Sequence, residues 1–251
     1  MNSVHTEAII LSTKDHGESD RLIRFFSNEK GSLRGIAKGA RRSRERFVHS
    51  FEPFSVVELK YLERRGLIWV ESSRLQEPFL ALRKDLERWG YAALITELVL
   101  EMVPESEPNP DLFFLLKEAY ARFSEEREPI NVLLLFLFRF LDFLGYLPAM
   151  DACSKCRKPA CELTRWWWGV KRGVFACPDH RSFDDDEFPL DLGTVTLIQK
   201  SRRLSLDTVW RLCFKRDKRN ALLEVLIEWV KELIQKDLNS VRMLRKLRPA
   251  S

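Results

Sequence analysis

The sequence predicts an α+β protein: a small N-terminal β-barrel, then a helical bundle interrupted by a compact cysteine-rich insertion. Three observations predict it. The first eighty residues carry five short apolar runs separated by turn-forming clusters. The apolar period then lengthens from two residues to between three and four. Finally, four of the five cysteines crowd into the 28 residues from Cys153 to His180.

Val4 to Ser12, Arg21 to Ser27 and Ser32 to Lys38 show partial alternation of apolar and polar residues. His16-Gly17-Glu18-Ser19 and Asn28-Glu29-Lys30-Gly31 separate them as turn signals. Pro53 to Leu62 and Gly66 to Leu75 follow, joined across Glu63-Arg64-Arg65. Such runs bounded by turn residues read as strands. Five of them predict a small closed barrel over 1–79, and the five-stranded oligonucleotide-binding (OB) type matches the count. An SH3-like barrel fits the pattern nearly as well.

After Pro78, Leu82, Leu86, Trp89, Ala93, Leu94, Leu98 and Met102 recur at three- and four-residue steps. That spacing predicts an amphipathic helix ending near Pro104. Asp111 to Phe123 predicts a second helix, and Pro129 opens a third that runs, almost wholly apolar, to Gly145. A helix apolar on all sides belongs at the centre of a bundle. Its apolar stretch, Val132 to Leu147, is broken by Arg139 and Asp142, which excludes a membrane span. Helical pattern resumes over Leu192 to Leu204, Leu206 to Phe214 and Arg219 to Leu238. The helical domain is therefore expected over 80–150 and 190–251, with the insertion at 151–189.

The insertion reads Cys153-x2-Cys156, then Cys161, then Cys177-x2-His180. Two side chains separated by two residues on a tight turn converge on one ion, and two such knuckles complete a tetrahedral site. The expectation is one structural Zn2+ per chain on Cys153, Cys156, Cys177 and His180. Cys161 is a fifth candidate, able to replace His180 or simply to pack. Reduced unliganded thiols and a disulfide framework are the competing readings, the latter needing a secreted protein. A catalytic zinc keeps one position open for water, whereas five candidates for four positions favour closure. Cys213, between Leu212 and Phe214, reads as a core thiol. Trp166-Trp167-Trp168 in a strand point to alternate faces, so at least one is expected to meet solvent or a partner. The preferred alternative is that they supply the core that a forty-residue metal module lacks.

Net charge is +5, unevenly spread: residues 1–80 carry +3, 81–150 carry −5, 151–190 are neutral and 191–251 carry +7. Basic ends around an acidic middle suggest a polyanion for the ends and another role for the centre. The sharpest cluster is Lys30, Arg34, Lys38, Arg41, Arg42, Arg44 and Arg46 against the single Glu45. Gly35 and Gly39 are expected to let backbone approach a ligand closely. Cations along a barrel face can follow a phosphate backbone while barrel aromatics stack on bases; a solvated basic loop is the alternative. Lys200, Arg202 and Arg203, then Lys215 to Arg219, then Arg242 to Arg248 form a second basic territory. The acidic run Asp184 to Glu187 lacks the His or Lys partners of a nuclease, and consecutive carboxylates diverge. No nucleophile–base pair, phosphate-binding Gly loop or dinucleotide fingerprint is present, so no enzyme is expected. No basic region precedes the short apolar run Ala8 to Leu11, and the expected compartment is the cytoplasm, with no membrane partner.

Thr6-Glu7-Ala8-Ile9-Ile10-Leu11, Glu18-Ser19-Asp20-Arg21-Leu22, Ala37-Lys38-Gly39-Ala40-Arg41-Arg42 and Phe51-Glu52-Pro53-Phe54 occur in this order. Leu144-Gly145-Tyr146-Leu147-Pro148 then precedes Cys153-x2-Cys156. Together these segments resemble the RecO family of bacterial recombination mediators, over most of the chain and with the same order of parts. The resemblance implies a non-enzymatic DNA-repair protein of the RecFOR pathway that binds single- and double-stranded DNA and anneals complementary strands. With RecR, such a protein helps load RecA onto DNA coated by single-stranded DNA-binding protein, with RecF and RecA as indirect partners. Two departures stand out. The family pattern closes its zinc module with a second Cys-x-x-Cys, where this chain has Cys177-x2-His180. Leu223 to Met243 match the family only in apolar pattern.

Overall fold

Strands β1 (Val4–His16), β2 (Asp20–Ser27), β3 (Gly31–Ala37), β4 (Val56–Arg64) and β5 (Leu67–Glu77) close into a barrel. The order is β1-β2-β3-β5-β4, with β4 returning to β1. Every pairing is antiparallel except β3 with β5, through Gly35–Ile68 and Ile36–Trp69. This order selects the OB-like type from the two that the sequence pattern allows. Ile10, Phe25, Leu33, Val57, Leu59, Tyr61 and Val70 fill the interior. Ile9, Leu11 and Phe26 are buried on the opposite face. Strands covered on both sides carry continuous apolar runs, which is why alternation in the sequence is only partial.

The computed structural model describes residues 3–182 and 186–247. The chain forms two compact units, Met1–Arg127 with Asn239–Ser251, and Glu128–Leu238. In the first, α1 (Leu86–Met102) and α2 (Pro110–Glu125) cover the outer barrel face. Phe26 stacks on Phe113 at 6.4 Å, and Phe54 and Phe79 pack on Tyr120 at 5.4 and 5.9 Å. Burial pushes the Tyr120 phenol far up, and it shares a 2.6 Å hydrogen bond with Thr96. Both helices begin at side-chain caps. Asp85 accepts from the amides of Glu87 and Arg88, and Asn109 accepts from that of Leu112 with Pro110 in the first turn. Leu82 lies ahead of α1, in a separate 3-10 turn, Leu80–Arg83.

The buried face of α1 is not the expected one: β1, α2 and α7 (Asn239–Leu247) pack on it, while Leu86 is 66% exposed and Trp89 and Ala93 are only partly buried. Its Gly90, Tyr91, Ala92, Leu94, Ile95, Leu98 and Val99 are all buried. A methyl group at Gly90 would meet Leu244 Cδ2 at 2.5 Å, so glycine is what allows α7 to lie this close. The Glu97 carboxylate accepts from the amides of Asn239 and Ser240, each at 2.9 Å, and caps α7.

In the second unit, α3 (Pro129–Phe143) packs with α4 (Leu192–Arg203) and α6 (Arg216–Ile234). The charges that interrupt the apolar run of α3 are used internally. Arg139 donates to the carbonyls of Ser201 and Leu204 at the end of α4, and Asp142 pairs with Arg202 at 2.7 Å. No helix among the described residues is long and apolar enough to cross a membrane. The helix expected over Leu206 to Phe214 is only one turn, α5 (Leu206–Val209). Beyond it the buried Asn131 side chain takes over, donating to Leu212 O at 2.8 Å and accepting from Phe214 N at 2.9 Å. That loop exposes Cys213, which is therefore not a core thiol; Arg219 donates to its sulfur at 3.0 Å.

The insertion folds as a three-stranded antiparallel sheet with β6 (Arg165–Gly169) between β7 (Val174–Ala176) and β8 (Glu187–Asp191). Trp166 and Trp168 are buried on one face. Trp166 stacks on Phe175 at 4.5 Å and donates to Ala160 O, and Trp168 meets Trp229 of α6 edge-on at 5.0 Å. Trp167 is half-buried on the other face, beneath the Arg181 guanidinium at 5.2 Å. Two indoles thus build the core and one turns outward, as strand parity demands.

Candidate metal centre and nucleic-acid interface

The two knuckles flank the insertion sheet. Turn hydrogen bonds shape them, from Arg157 N to Cys153 O and from His180 N to Cys177 O, each 3.0 Å. Ser154 ties the first knuckle to β7, donating its amide to Phe175 O at 2.8 Å and accepting from Phe175 N through Oγ at 3.1 Å. The ligand atoms of Cys153, Cys156, Cys177 and His180 consequently lie within 4.8 Å of one another. Cys156 Sγ is 3.7 Å from Cys177 Sγ, and His180 Nδ1 is 3.9 Å from Cys153 Sγ and 3.3 Å from Cys177 Sγ. Bonds of about 2.3 Å to sulfur and about 2.0 Å to nitrogen in a tetrahedron place the ligands about 3.5–3.8 Å apart. Donor set and spacing both fit Zn2+.

Cys161 is exposed on the turn Ala160–Glu162, outside the cluster, so His180 completes the set. Burial pushes the Cys153 thiol up, but amide hydrogen bonds from Cys177, Cys156 and Lys155 outweigh it and bring it down to about 6. Burial, then hydrogen bonds to Cys156 and Cys153, push Cys177 up. A thiolate is thus already favoured at one of the four positions, as metal ligation requires. Of the acidic run, Asp184 and Asp185 lie outside the described residues. Asp186 pairs with Arg172 at 3.6 Å, and Glu187 is held by Arg181 at 3.1 Å and by the Ser182 amide at 2.7 Å.

On the barrel, Lys38 and Arg46 line a groove of about 680 Å³ with Lys60, Arg64 and Trp69, and with Glu71, which pairs with Lys60 at 3.6 Å. The Lys38 ammonium stands 4.8 Å over the Trp69 ring, and Arg46 donates to Lys38 O at 3.0 Å. Arg46 also borders a neighbouring concavity that includes His5, Lys60 and Arg74, and another with Arg42 and Arg44. The remaining cations of the predicted cluster are elsewhere or engaged. Arg41 pairs with Asp15 at 3.3 Å and donates to Gly17 O at 3.2 Å. Arg34 pairs with Glu105, and Lys30 is exposed in the β2–β3 turn, outside these concavities.

Gly35 does not face a ligand. An added Cβ would meet Val70 and Ile68 methyl groups at 3.0 and 3.1 Å, so its role is packing inside the barrel. The Gly39 amide donates to Asp20 Oδ1 at 2.9 Å, pinning the start of the basic loop to β2. That bond, followed by one from the Ser19 hydroxyl, holds the Asp20 carboxyl below its usual range. Lys60, Arg64, Trp69 and Arg74 were absent from the predicted cluster. Strand parity points to three of them: Lys60 lies between buried Leu59 and Tyr61, Trp69 between buried Ile68 and Val70, and Arg74 follows buried Ser73.

The family model described as Recombination protein O N terminal matches residues 1–79, and Recombination protein O C terminal matches residues 83–242. The chain belongs to the RecO family. The DNA repair protein RecO of Syntrophobacter fumaroxidans is 51% identical over 246 residues, 98% of each chain. That of Syntrophus aciditrophicus is 28% identical over 246 residues, covering 96% of this chain and 95% of its own. The RecO of Geobacter metallireducens is 36% identical over 157 residues, 62% of this chain and 64% of its own. The N-terminal RecO match ends at Phe79, just past β5, so it coincides with the barrel.

Proposed function

We propose that this RecO protein is a non-catalytic mediator of DNA repair and homologous recombination. It binds single- and double-stranded DNA through the 1–79 barrel and anneals complementary strands. With RecR it helps load RecA onto DNA coated by single-stranded DNA-binding protein. The observation that carries the reading is the groove in which Lys38, Arg46, Lys60 and Arg64 surround the half-buried Trp69. Cations at that spacing neutralise phosphates and so reduce repulsion between two strands, while an indole offers a base a stacking surface. The 151–189 insertion holds one structural Zn2+ on Cys153, Cys156, Cys177 and His180. With four protein ligands the ion has no open position for water, and it stabilises the fold of the insertion without chemistry of its own.

The test is annealing of complementary oligonucleotides coated with single-stranded DNA-binding protein, with and without RecR, cleavage being followed in the same tubes. Annealing without nucleotide triphosphate and without cleavage is expected, and Lys38→Ala with Arg46→Ala should slow it at least tenfold. Metal-dependent nicking by the unaltered protein would replace this reading with a nuclease.

A further inference from the structure

We infer that four outward side chains of the barrel, Leu22, Ile36, Trp69 and Leu62, form an apolar track for the unpaired bases of single-stranded DNA. This row sets a preference for single strand over duplex, and the inference rests on the barrel being the DNA-binding part. Strand register puts the four in one line. Leu22 of β2 is opposite Ile36 of β3, Ile36 is opposite Trp69 of β5, and Trp69 is opposite Leu62 of β4. Each adjoins a residue of the barrel interior (Ile23, Ala37, Ile68 and Tyr61 in turn) and so lies on the other face. Three intervals of about 4.8 Å between strands give the row a length of about 14 Å.

Outward positions of an antiparallel sheet ordinarily carry polar side chains, and a contiguous apolar strip on a surface marks a contact. The fold covers this outward face elsewhere and stops short of the row. On β2, Phe26 is buried against Phe113 of α2, and Arg24 donates to Leu100 O of α1 at 3.2 Å. Beyond Arg24 the cover ends, and Leu22 is 37% exposed. Ile36, Trp69 and Leu62 are partly exposed as well. Trp69 and Leu62 also line the cationic groove, so the row is continuous with it.

The surrounding charge specifies the occupant. Lys14, the β1 partner of Leu22, is exposed at one end of the row, and Arg64 is exposed near the other, opposite Leu67. Lys38 follows Ile36 on the same face and stands 4.8 Å over the Trp69 ring. Glu71 and Asp20, the acidic residues flanking Trp69 and Leu22, are engaged. Glu71 pairs with Lys60 at 3.6 Å, and Asp20 accepts from the Gly39 amide at 2.9 Å. An occupant must therefore offer apolar faces along its middle and negative charge along its edge. Single-stranded DNA does so, because every base has a π-face and every link a phosphate. In a duplex the base faces are stacked away and the grooves present base edges, so a duplex gains from the cations and not from the row. A row of this length takes about two or three bases.

The experiment uses the full-length protein and three fluorescein-labelled probes of equal length, read by anisotropy: a thymine oligonucleotide, the same strand made abasic throughout, and a duplex. The unaltered protein should bind the thymine strand at least fivefold tighter than the abasic one. Leu22→Ser with Ile36→Ser should abolish most of that difference and leave the affinities for the abasic strand and the duplex within twofold. Leu22→Ile with Ile36→Leu, which keeps the row apolar, should retain it. Equal loss on the thymine and abasic strands, or no loss on either, overturns the inference. Self-association of the DNA-free protein that the serine variant abolishes would overturn it too, in favour of a second copy. Lys38→Ala with Arg64→Ala separates this inference from the reading beneath it. If that variant leaves all three affinities unchanged, DNA binding by the barrel groove fails; if it weakens all three while the serine variant weakens none, only the apolar track fails.

Discussion

Trp69 and Arg34 show that carrying charge and being available to a ligand are different properties of a residue. Arg34 belongs to the longest basic run in the sequence, but it shares Glu105 with Arg24. Burial first, and then the Arg34 charge, pushes the Arg24 guanidinium down, against the pull of Glu105, so Arg34 is tied into a cluster outside the groove. Trp69 lies outside every charge run, yet it stands half-buried in the groove with only the flexible Lys38 ammonium over its ring. That ammonium can move to a phosphate and leave the ring to a base. Stacking of a base on an aromatic ring contributes about 1–3 kcal/mol. Trp69→Ala is accordingly expected to weaken binding of a single-stranded oligonucleotide by about five- to 150-fold. Arg34→Ala should change it less than twofold. Equal losses from the two substitutions in a titration would show that charge alone, and not the ring, holds the strand.

The insertion is an element that cannot support itself. Its sheet has strands of five, three and five residues, and so small a segment buries too little apolar surface to fold alone. Structural zinc contributes about 10–16 kcal/mol of apparent binding energy in isolated zinc-finger peptides, which is ample for this task. Cys153→Ser with Cys156→Ser should lower bound zinc from one per chain to near zero and speed amide exchange at Val174–Ala176. Barrel binding to DNA should stay within twofold. Unchanged exchange in the metal-free variant would mean that Trp166, Trp168 and Phe175 suffice. The cysteine knuckles were legible in the sequence because each is a local turn, and the strands because turn residues bracket them. What was not legible depends on distant partners. The burial of Gly90 on α1 requires α7, whose cap reaches from Glu97 to Asn239 across 142 positions. The loop after α5 is held by Asn131, 81 residues before Leu212. The groove was half legible: counting consecutive cations finds Lys38 and Arg46. A strand, however, contributes an outward side chain only every second residue, so Lys60 and Trp69 form no run.

At the scale of the whole molecule, counted charge and available charge differ. The last sixty-one residues carry +7, more than the barrel segment, and would be the obvious home for a polyanion. Much of that charge is already engaged within the fold; Arg248 lies outside the described residues. Arg202 pairs with Asp142 at 2.7 Å and Arg203 with Asp151 at 2.6 Å, while Arg216 and the buried Arg219 both pair with Glu128. The Arg219 hydrogen bond is the main cause that holds the Glu128 carboxyl below its usual range. In the barrel groove, Lys60 is paired with Glu71 at 3.6 Å, whereas Lys38 and Arg64 line the concavity beside the Trp69 ring. Each phosphate neutralised on a single strand lowers the slope of log affinity against log salt by about 0.7, so five contacts give about −3.5. Replacing Lys38, Lys60 and Arg64 by Ala should flatten that slope by about two. Replacing Arg202 should leave it within about 0.5, because that partly buried cation is already held by Asp142. Binding isotherms for a single-stranded oligonucleotide across a salt series check both. A slope that flattens with Arg202→Ala, and holds with the groove variant, would move the footprint off the barrel and onto the later helices.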